Sequence, residues 1–143
     1  MGTSAAILYA QWTADPQTLT FDGNDSDGGT TAAQSINTDA SLPLTSNGFT
    51  RIGYTFNGWN TLANNSGTSY TNGQSYTMGT STATLYAQWT ANPQTLTFDG
   101  NGFGGGSTAA QTINSDATAT LTTNGFMRTG YAFNGWNTAA NNS

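Results

Sequence analysis

The sequence predicts an α+β, mostly β fold built from tandem copies of one small unit, with a very short helix or turn in the crossover of each. Three observations carry that prediction. The text repeats at a spacing of 77 residues: Leu8-Tyr9-Ala10-Gln11-Trp12 returns as Leu85-Tyr86-Ala87-Gln88-Trp89, and Phe56–Thr61 returns as Phe133–Thr138. Met1–Ser66 align on Met78–Ser143 without a gap and with about three quarters of positions identical, the mark of a tandem array. Between these echoes, short segments alternate polar and apolar residues with a period of two, as half-buried strands do, and Gly-, Asn- and Asp-rich turns separate them.

The elements follow in order. Gln17–Gly23 alternates with Leu19 and Phe21 on one face and reads as a strand. Asn24–Thr30 is a Gly- and Asp-rich turn, and Thr31–Asn37 returns as a second strand with Ile36 inward, a hairpin in its simplest form. The crossover Asp39–Ile52 offers Leu42, Leu44, Phe49 and Ile52 as apolar members. Leu42-Pro43-Leu44 is extended, because the residue before proline avoids the helical region. Thr45–Ile52 has room for one short helical turn capped by Thr45 or Ser46, and Gly48 argues against a longer helix. Gly53–Asn60 carries Tyr54, Phe56 and Trp59 as an aromatic strand. Its Asn57-Gly58 is either a two-residue turn or a glycine bulge, and the bulge is preferred because a turn would leave very short arms. Thr61–Gly67 is polar loop. Ser69–Tyr70 and Ser75–Tyr76 flank a tight-turn signal at Asn72-Gly73. Ala83–Trp89 is the clearest strand, with Leu85, Ala87 and Trp89 on one face and Tyr86 and Gln88 on the other. Thr90-Ala91-Asn92-Pro93 reads as a short linker stiffened by its proline.

Composition removes whole classes of chemistry. Only 6% of residues are charged, against roughly 25% in an average globular protein. Lys, Glu, His, Cys and Val are absent, the seven acids are all Asp, and the net charge is -5. Without His or Cys there is no imidazole base, thiolate or ordinary zinc site. Without Lys there is no Schiff base and no Lys-based isopeptide crosslink. Arg51 and Arg128 alone cannot make a basic groove, so nucleic acid is not an expected partner. No apolar run approaches the roughly 20 residues of a membrane span, so membrane insertion is not expected either. Heavy Thr, Ser, Asn and Gly usage with little charge and no cysteine points to an extracellular or cell-surface setting. No basic region followed by an apolar core opens the chain as a signal peptide would. Instead Met1-Gly2-Thr3-Ser4 matches Met78-Gly79-Thr80-Ser81, so the chain reads as a segment of a longer array.

The ordered motifs Leu19–Asn24, Gln34–Asn37, Arg51–Thr61 and Leu85–Trp89 together resemble the Listeria–Bacteroides repeat, the internalin B-repeat type, over nearly the whole chain. The resemblance implies a small β-grasp, ubiquitin-like unit: two antiparallel strands, a short helix-bearing crossover, then further strands ending in Tyr-Ala-Gln-Trp. It also implies non-catalytic stalk, spacer or interaction modules of bacterial secreted or surface proteins, often adhesin-like. In that frame 1–16 is the last strand of a preceding repeat plus a linker, 17–93 is a complete unit, and 94–143 is a unit lacking its final hairpin and strand. The strand Leu8, Tyr9, Ala10, Gln11 and Trp12 is then suited to complete the open unit of another copy, giving a head-to-tail dimer or filament. A permuted frame, with units Met1–Ser66 and Met78–Ser143, needs no such donation. Two features depart from the family's pattern: the crossover contains glycine, and the turn Asn24–Gly29 is longer and more acidic than the usual Asn-Gly-Gly.

Each candidate site has a structural alternative. Trp12, Trp59, Trp89 and Trp136, with Tyr54, Tyr70, Tyr76 and Tyr86, would suit glycan or host-protein binding, yet a small unit poor in aliphatics needs its aromatics as core. Tyr86 is the best exposed candidate. Asp22, Asn24, Asp25 and Asp27 have the oxygen-rich composition of a calcium loop, but the second copy replaces two of the acids with glycine. No cofactor is expected. Arg51 and Arg128 are partner-binding candidates, with an ion pair to Asp22 or Asp39, and to Asp99 or Asp116, as the local alternative. Asn24-Asp25-Ser26, Asn64-Asn65-Ser66 and Asn141-Asn142-Ser143 fit the N-glycosylation sequon, a match that chance supplies in so Asn- and Ser-rich a chain. Asp22 and Asp39 as a hydrolytic carboxylate pair have nothing in the sequence to raise either pKa, and no enzyme is expected.

Overall fold

The computed structural model describes residues 6–141, and the chain divides into two units, Met1–Thr90 and Ala91–Ser143. In the first unit β1 (Pro16–Asp22) pairs antiparallel with β3 (Gln34–Asn37), with Gln17 opposite Ile36 and Leu19 opposite Gln34. The period-two pattern of β1 is realised, since Leu19 is fully buried while Thr18 and Thr20 on either side are exposed. The loop between them pairs a two-residue strand β2 (Gly28–Gly29) with β5 (Phe49–Thr50). The crossover supplies β4 (Ser41–Pro43), which pairs with β8 (Ser75–Thr77).

Three strands complete the main sheet. The aromatic strand β6 (Tyr54–Asn60) pairs with β7 (Ser69–Tyr70), and β9 (Ala83–Ala91) lies between β1 and β6. The sheet order is β3-β1-β9-β6-β7, and β1 runs parallel to β9 from Leu19↔Ala83 to Asp22↔Tyr86. A strand flanked on both edges must bury what it points inward, and Leu85 and Ala87 are both 0% exposed. They join Leu19, Ile36, Leu44, Trp59 and Met78 in one core, against which Phe21, Phe49, Phe56, Tyr70, Tyr76 and Trp89 pack. Each large apolar side chain buried there contributes about 1.5–3 kcal/mol.

Five expectations need correction or refinement. The described residues contain no helix. In the crossover, backbone donors that a helical turn would use are turned to other segments: Leu44 N–H to the Gln74 carbonyl, Thr45 N–H to Gln34 Oε1, Asn47 N–H to Asn72 Oδ1 and Gly48 N–H to Thr31 Oγ1. Leu42 and Ile52, counted as apolar members of the crossover, are exposed, Ile52 at 86%. The strand β6 runs straight through Asn57-Gly58, with Gly58 at φ +130 and the Tyr70 carbonyl where a Cβ would sit, so this pair is not a hairpin turn. Asn72-Gly73 does turn the chain, with Gln74 N–H on the Thr71 carbonyl, but positive φ falls on Gly73 and not on Asn72, the pattern of a type II turn. Accordingly β7 and β8 do not pair with each other; one joins β6 and the other β4. The Thr90–Pro93 linker is taken up largely by strands, with Asn92 between β9 and β10 (Pro93–Leu96).

In the second unit β10 pairs antiparallel with β12 (Gln111–Asn114), and β11 (Gly105–Gly106) pairs with β13 (Phe126–Met127). These match the β1–β3 and β2–β5 pairings of the first unit. Residues 131–137, which correspond to β6, form no strand.

Candidate functional site

Trp59 is the hub of the first unit's aromatic cluster. Its ring lies 4.7 Å from Phe21, 5.0 Å from Phe56 and 6.3 Å from Phe49. Trp89 packs on Phe56 at 5.6 Å and donates its Nε1–H to the Gly23 carbonyl at 2.9 Å. Tyr70 and Tyr76 stack edge to face at 5.3 Å against the core. Burial raises the Tyr76 hydroxyl pKa above its usual 10.0, with Tyr70 adding to the rise. Tyr86 is half-buried. The tyrosines singled out for binding therefore form no continuous exposed face. A shallow depression of about 160 Å³ beside Tyr70, lined also by Asn57, Gln74 and Gln88, is smaller than the roughly 300–1,000 Å³ of small-molecule sites.

The acidic turn disperses its side chains among protein partners. Asp22 accepts the Asn24 backbone N–H at 2.8 Å, Asp27 accepts the Ile52 N–H, and Asp25 lies 3.9 Å from Arg51. Asn24 and Asp25 both adopt positive φ. Asn24 Nδ2 donates to the carbonyls of Ala63 and Ala87 at 2.9 and 2.8 Å, tying the turn to β9 and to the loop after β6. Among the described residues no three acidic, His or Cys side chains gather as a metal site.

Arg51 pairs with Asp25 and lies 4.0 Å over the Tyr54 ring; Asp22 and Asp39 are not its salt-bridge partners. Sequence reasoning missed this because Asp25 reaches Arg51 through the fold of the long turn. Arg128 lies 4.0 Å over Tyr131, and the position of Asp25 is Gly102 in the second copy. The stacked arginine is thus the shared feature of the two copies, and the Asp25 ion pair belongs to the first.

Asn60, which sequence reasoning passed over, is fully buried. Its Nδ2 donates to Asn65 Oδ1, the Gly67 carbonyl and Ser69 Oγ, and its Oδ1 accepts the N–H groups of Leu62 and Gly67. The available signal was the identity of the motif around Asn60 and Asn137 in both copies.

Two further features are related by the repeat. Leu8–Trp12 forms no strand, and Leu8 and Trp12 are 95% and 92% exposed; Met1–Ala5 of the same expected strand segment lie outside the described residues. In the second unit an open groove of about 1230 Å³ is lined by Leu96, Phe98, Phe126, Phe133 and Trp136 among others. Its aromatics keep the spacing seen around Trp59: Trp136 lies 4.6 Å from Phe98, 4.9 Å from Phe133 and 6.2 Å from Phe126.

Comparison with known proteins agrees with this repeat architecture. The family model of the Listeria–Bacteroides repeat domain matches residues 18–88 and again 95–143. A protein of Evansella cellulosilytica named "Putative Gly-rich membrane protein" is 35% identical over 139 residues, 95% of this chain and 16% of that protein. Another from the same organism, named "Putative membrane protein", is 39% identical over 87 residues, 59% of this chain and 13% of that protein. The chain thus spans about a sixth or less of these relatives' length. No solved structure matches it significantly. Among the described residues no helix is long and apolar enough to cross a membrane.

Proposed function

We propose, since the chain belongs to the Listeria–Bacteroides repeat family, that it is a non-enzymatic spacer segment of a bacterial secreted or cell-surface protein. One observation carries the reading: the first unit is closed around its own aromatics, and its first and last strands lie side by side and parallel. The chain therefore enters such a unit at one end and leaves it at the other, which is what a module that adds length requires. The parallel pairing of terminal strands also supports a β-grasp reading in which extended segments replace the usual crossover helix. The two relatives are named as membrane proteins, which is consistent with an array held at a cell surface.

The spacer reading is tested by imaging recombinant arrays of increasing repeat number on mica by atomic force microscopy. Contour length should grow by a constant increment per unit; arrays that collapse into globules would overturn it. The second reading is an adhesin-like module that binds glycan or host protein through exposed aromatics. The Arg128–Tyr131 stack is what favours it, Tyr131 being 68% exposed. A glycan array probed with the chain decides that reading, and reproducible hits lost in Tyr131→Ala would establish it.

A further inference from the structure

We infer that Asn72-Gly73 is a site of spontaneous covalent modification, where the folded chain converts its own asparagine to aspartate and isoaspartate. The reaction needs only these two residues and water. The Gly73 backbone nitrogen gives up its proton to solvent and bonds to Cγ of Asn72. The Cγ–Nδ2 bond breaks and ammonia leaves. Water then opens the resulting succinimide. Cleavage of the bond from the ring nitrogen to Cγ leaves aspartate, and cleavage of the bond to the backbone carbonyl carbon leaves isoaspartate.

The first unit holds three Asn-Gly pairs, at 47–48, 57–58 and 72–73. Local structure separates them, because the glycine nitrogen must be unengaged, uncrowded and able to rotate onto the side chain. Asn72 and Gly73 are both exposed, and nothing lies within 4 Å of the place a Cβ on Gly73 would take. Among the described residues no acceptor holds the Gly73 N–H. The electrophile is prepared as well. Asn47 N–H donates to Asn72 Oδ1 at 2.9 Å, which draws electron density from Cγ and faces the negative charge that grows on that oxygen during attack.

The other pairs lack this freedom. Gly48 N–H is engaged by Thr31 Oγ1 at 2.9 Å, and the Thr30 carbonyl lies where a Cβ would sit. The Asn47 side chain is held at both ends, its Oδ1 by the Phe49 N–H and its Nδ2 on the Phe49 carbonyl. Asn124-Gly125 repeats these restraints, with Gly125 N–H on Thr108 Oγ1 and Phe126 N–H on Asn124 Oδ1. Gly58 is buried within β6 against the Tyr70 carbonyl, so its peptide rotates only when the strand opens. The two products at position 72 differ in consequence. Aspartate keeps an oxygen for the Asn47 N–H. Isoaspartate lengthens the backbone by one carbon and withdraws that oxygen, so the crossover loses one of the acceptors that hold it extended.

The test is to hold the 143-residue chain in neutral buffer for weeks, folded and in parallel in urea, and to map the conversion of amide to acid by tandem mass spectrometry of digests. In urea the Asn-Gly pairs should react at comparable rates. Each net hydrogen bond that must be released slows the reaction about tenfold. In the folded chain Asn72 should therefore stay within about tenfold of its unfolded rate, while Asn47 and Asn124 slow by about a hundredfold or more. Asn57 should slow with them. Asn72→Gln should abolish the early conversion. Asn72→Asp should melt with the native chain, and the isoaspartate form, separated by chromatography, should melt lower. Protection of Asn72 equal to that of Asn47, or earlier conversion at Asn47 or Asn57, would overturn the inference. An isoaspartate form that melts with the native chain would overturn its link to the crossover.

Discussion

Leu85 and Leu8 sit in the same seven-residue text, yet one is 0% exposed and the other 95%. Replacing each with alanine in dilute solution should therefore give opposite results. Leu85→Ala removes three buried carbons, about 2.4 kcal/mol at roughly 0.8 kcal/mol per methylene. The cavity adds to this, because the surrounding rings are already in mutual contact: Trp59 is held by Phe21, Phe49 and Phe56 and has little room to collapse. The total should fall at about 3–4 kcal/mol, inside the roughly 2–5 kcal/mol range of buried Leu→Ala changes. With a urea slope of about 1.5 kcal/mol/M, the midpoint of the first unit's transition drops by about 2 M, or its cooperative transition disappears. Leu8→Ala should stay within about 0.5 kcal/mol, as exposed substitutions do. Urea titrations followed by tryptophan fluorescence at low protein concentration measure both. Equal losses at the two positions would refute the placement of β9 as the buried central strand.

Three other expectations are independent of this one. Asn60→Ala removes partners from several buried groups at once and should destabilise the first unit by about 2–4 kcal/mol, seen in the same titration; a neutral result would mean that the loop after β6 is not held through Asn60. The Tyr76 hydroxyl has a raised pKa in the folded chain, so the folded state holds that proton more tightly than the unfolded state does. Its contribution is complete below the unfolded value near 10 and is lost as pH rises through the higher folded value. Alkaline melts should show that loss in the native chain and a smaller one in Tyr76→Phe. Millimolar calcium should leave the melting temperature unchanged, because Asp22, Asp25 and Asp27 are turned to three different protein partners; a rise abolished by Asp25→Asn would contradict this.

The strands were legible because their signal is local. Leu19, Ile36, Leu85 and Ala87 are buried where period-two alternation puts them. The crossover was harder to read, because a cap residue before an apolar stretch permits a helical turn, and only the acceptors waiting on Gln34, Gln74 and Asn72 draw those N–H groups away. Strand neighbours were harder still. Asn72-Gly73 announces a turn, but the choice of β6 and β4 as separate partners for the flanking strands lies in contacts far away in sequence. At the candidate sites, residue type misled wherever one side chain suits two roles. Asn24 has the oxygen of a calcium ligand, yet its amide nitrogen fastens the turn to β9. Arg51 found its acid within the turn itself, a reach that depends on the positive φ of Asn24 and Asp25.

The side-by-side, parallel placement of β1 and β9 also fixes how the first unit would bear tension. A pull on the chain before Pro16 and after Ala91 draws the two strands past each other along their length. The backbone bonds between Leu19–Asp22 and Ala83–Tyr86 are then loaded together in shear, and none can open ahead of the rest as in a zipper. Leu85 and Ala87 are buried on the sliding strand, so the first step of extension must also drag apolar surface out of the core. Resistance to stretching is thereby written into the strand order itself.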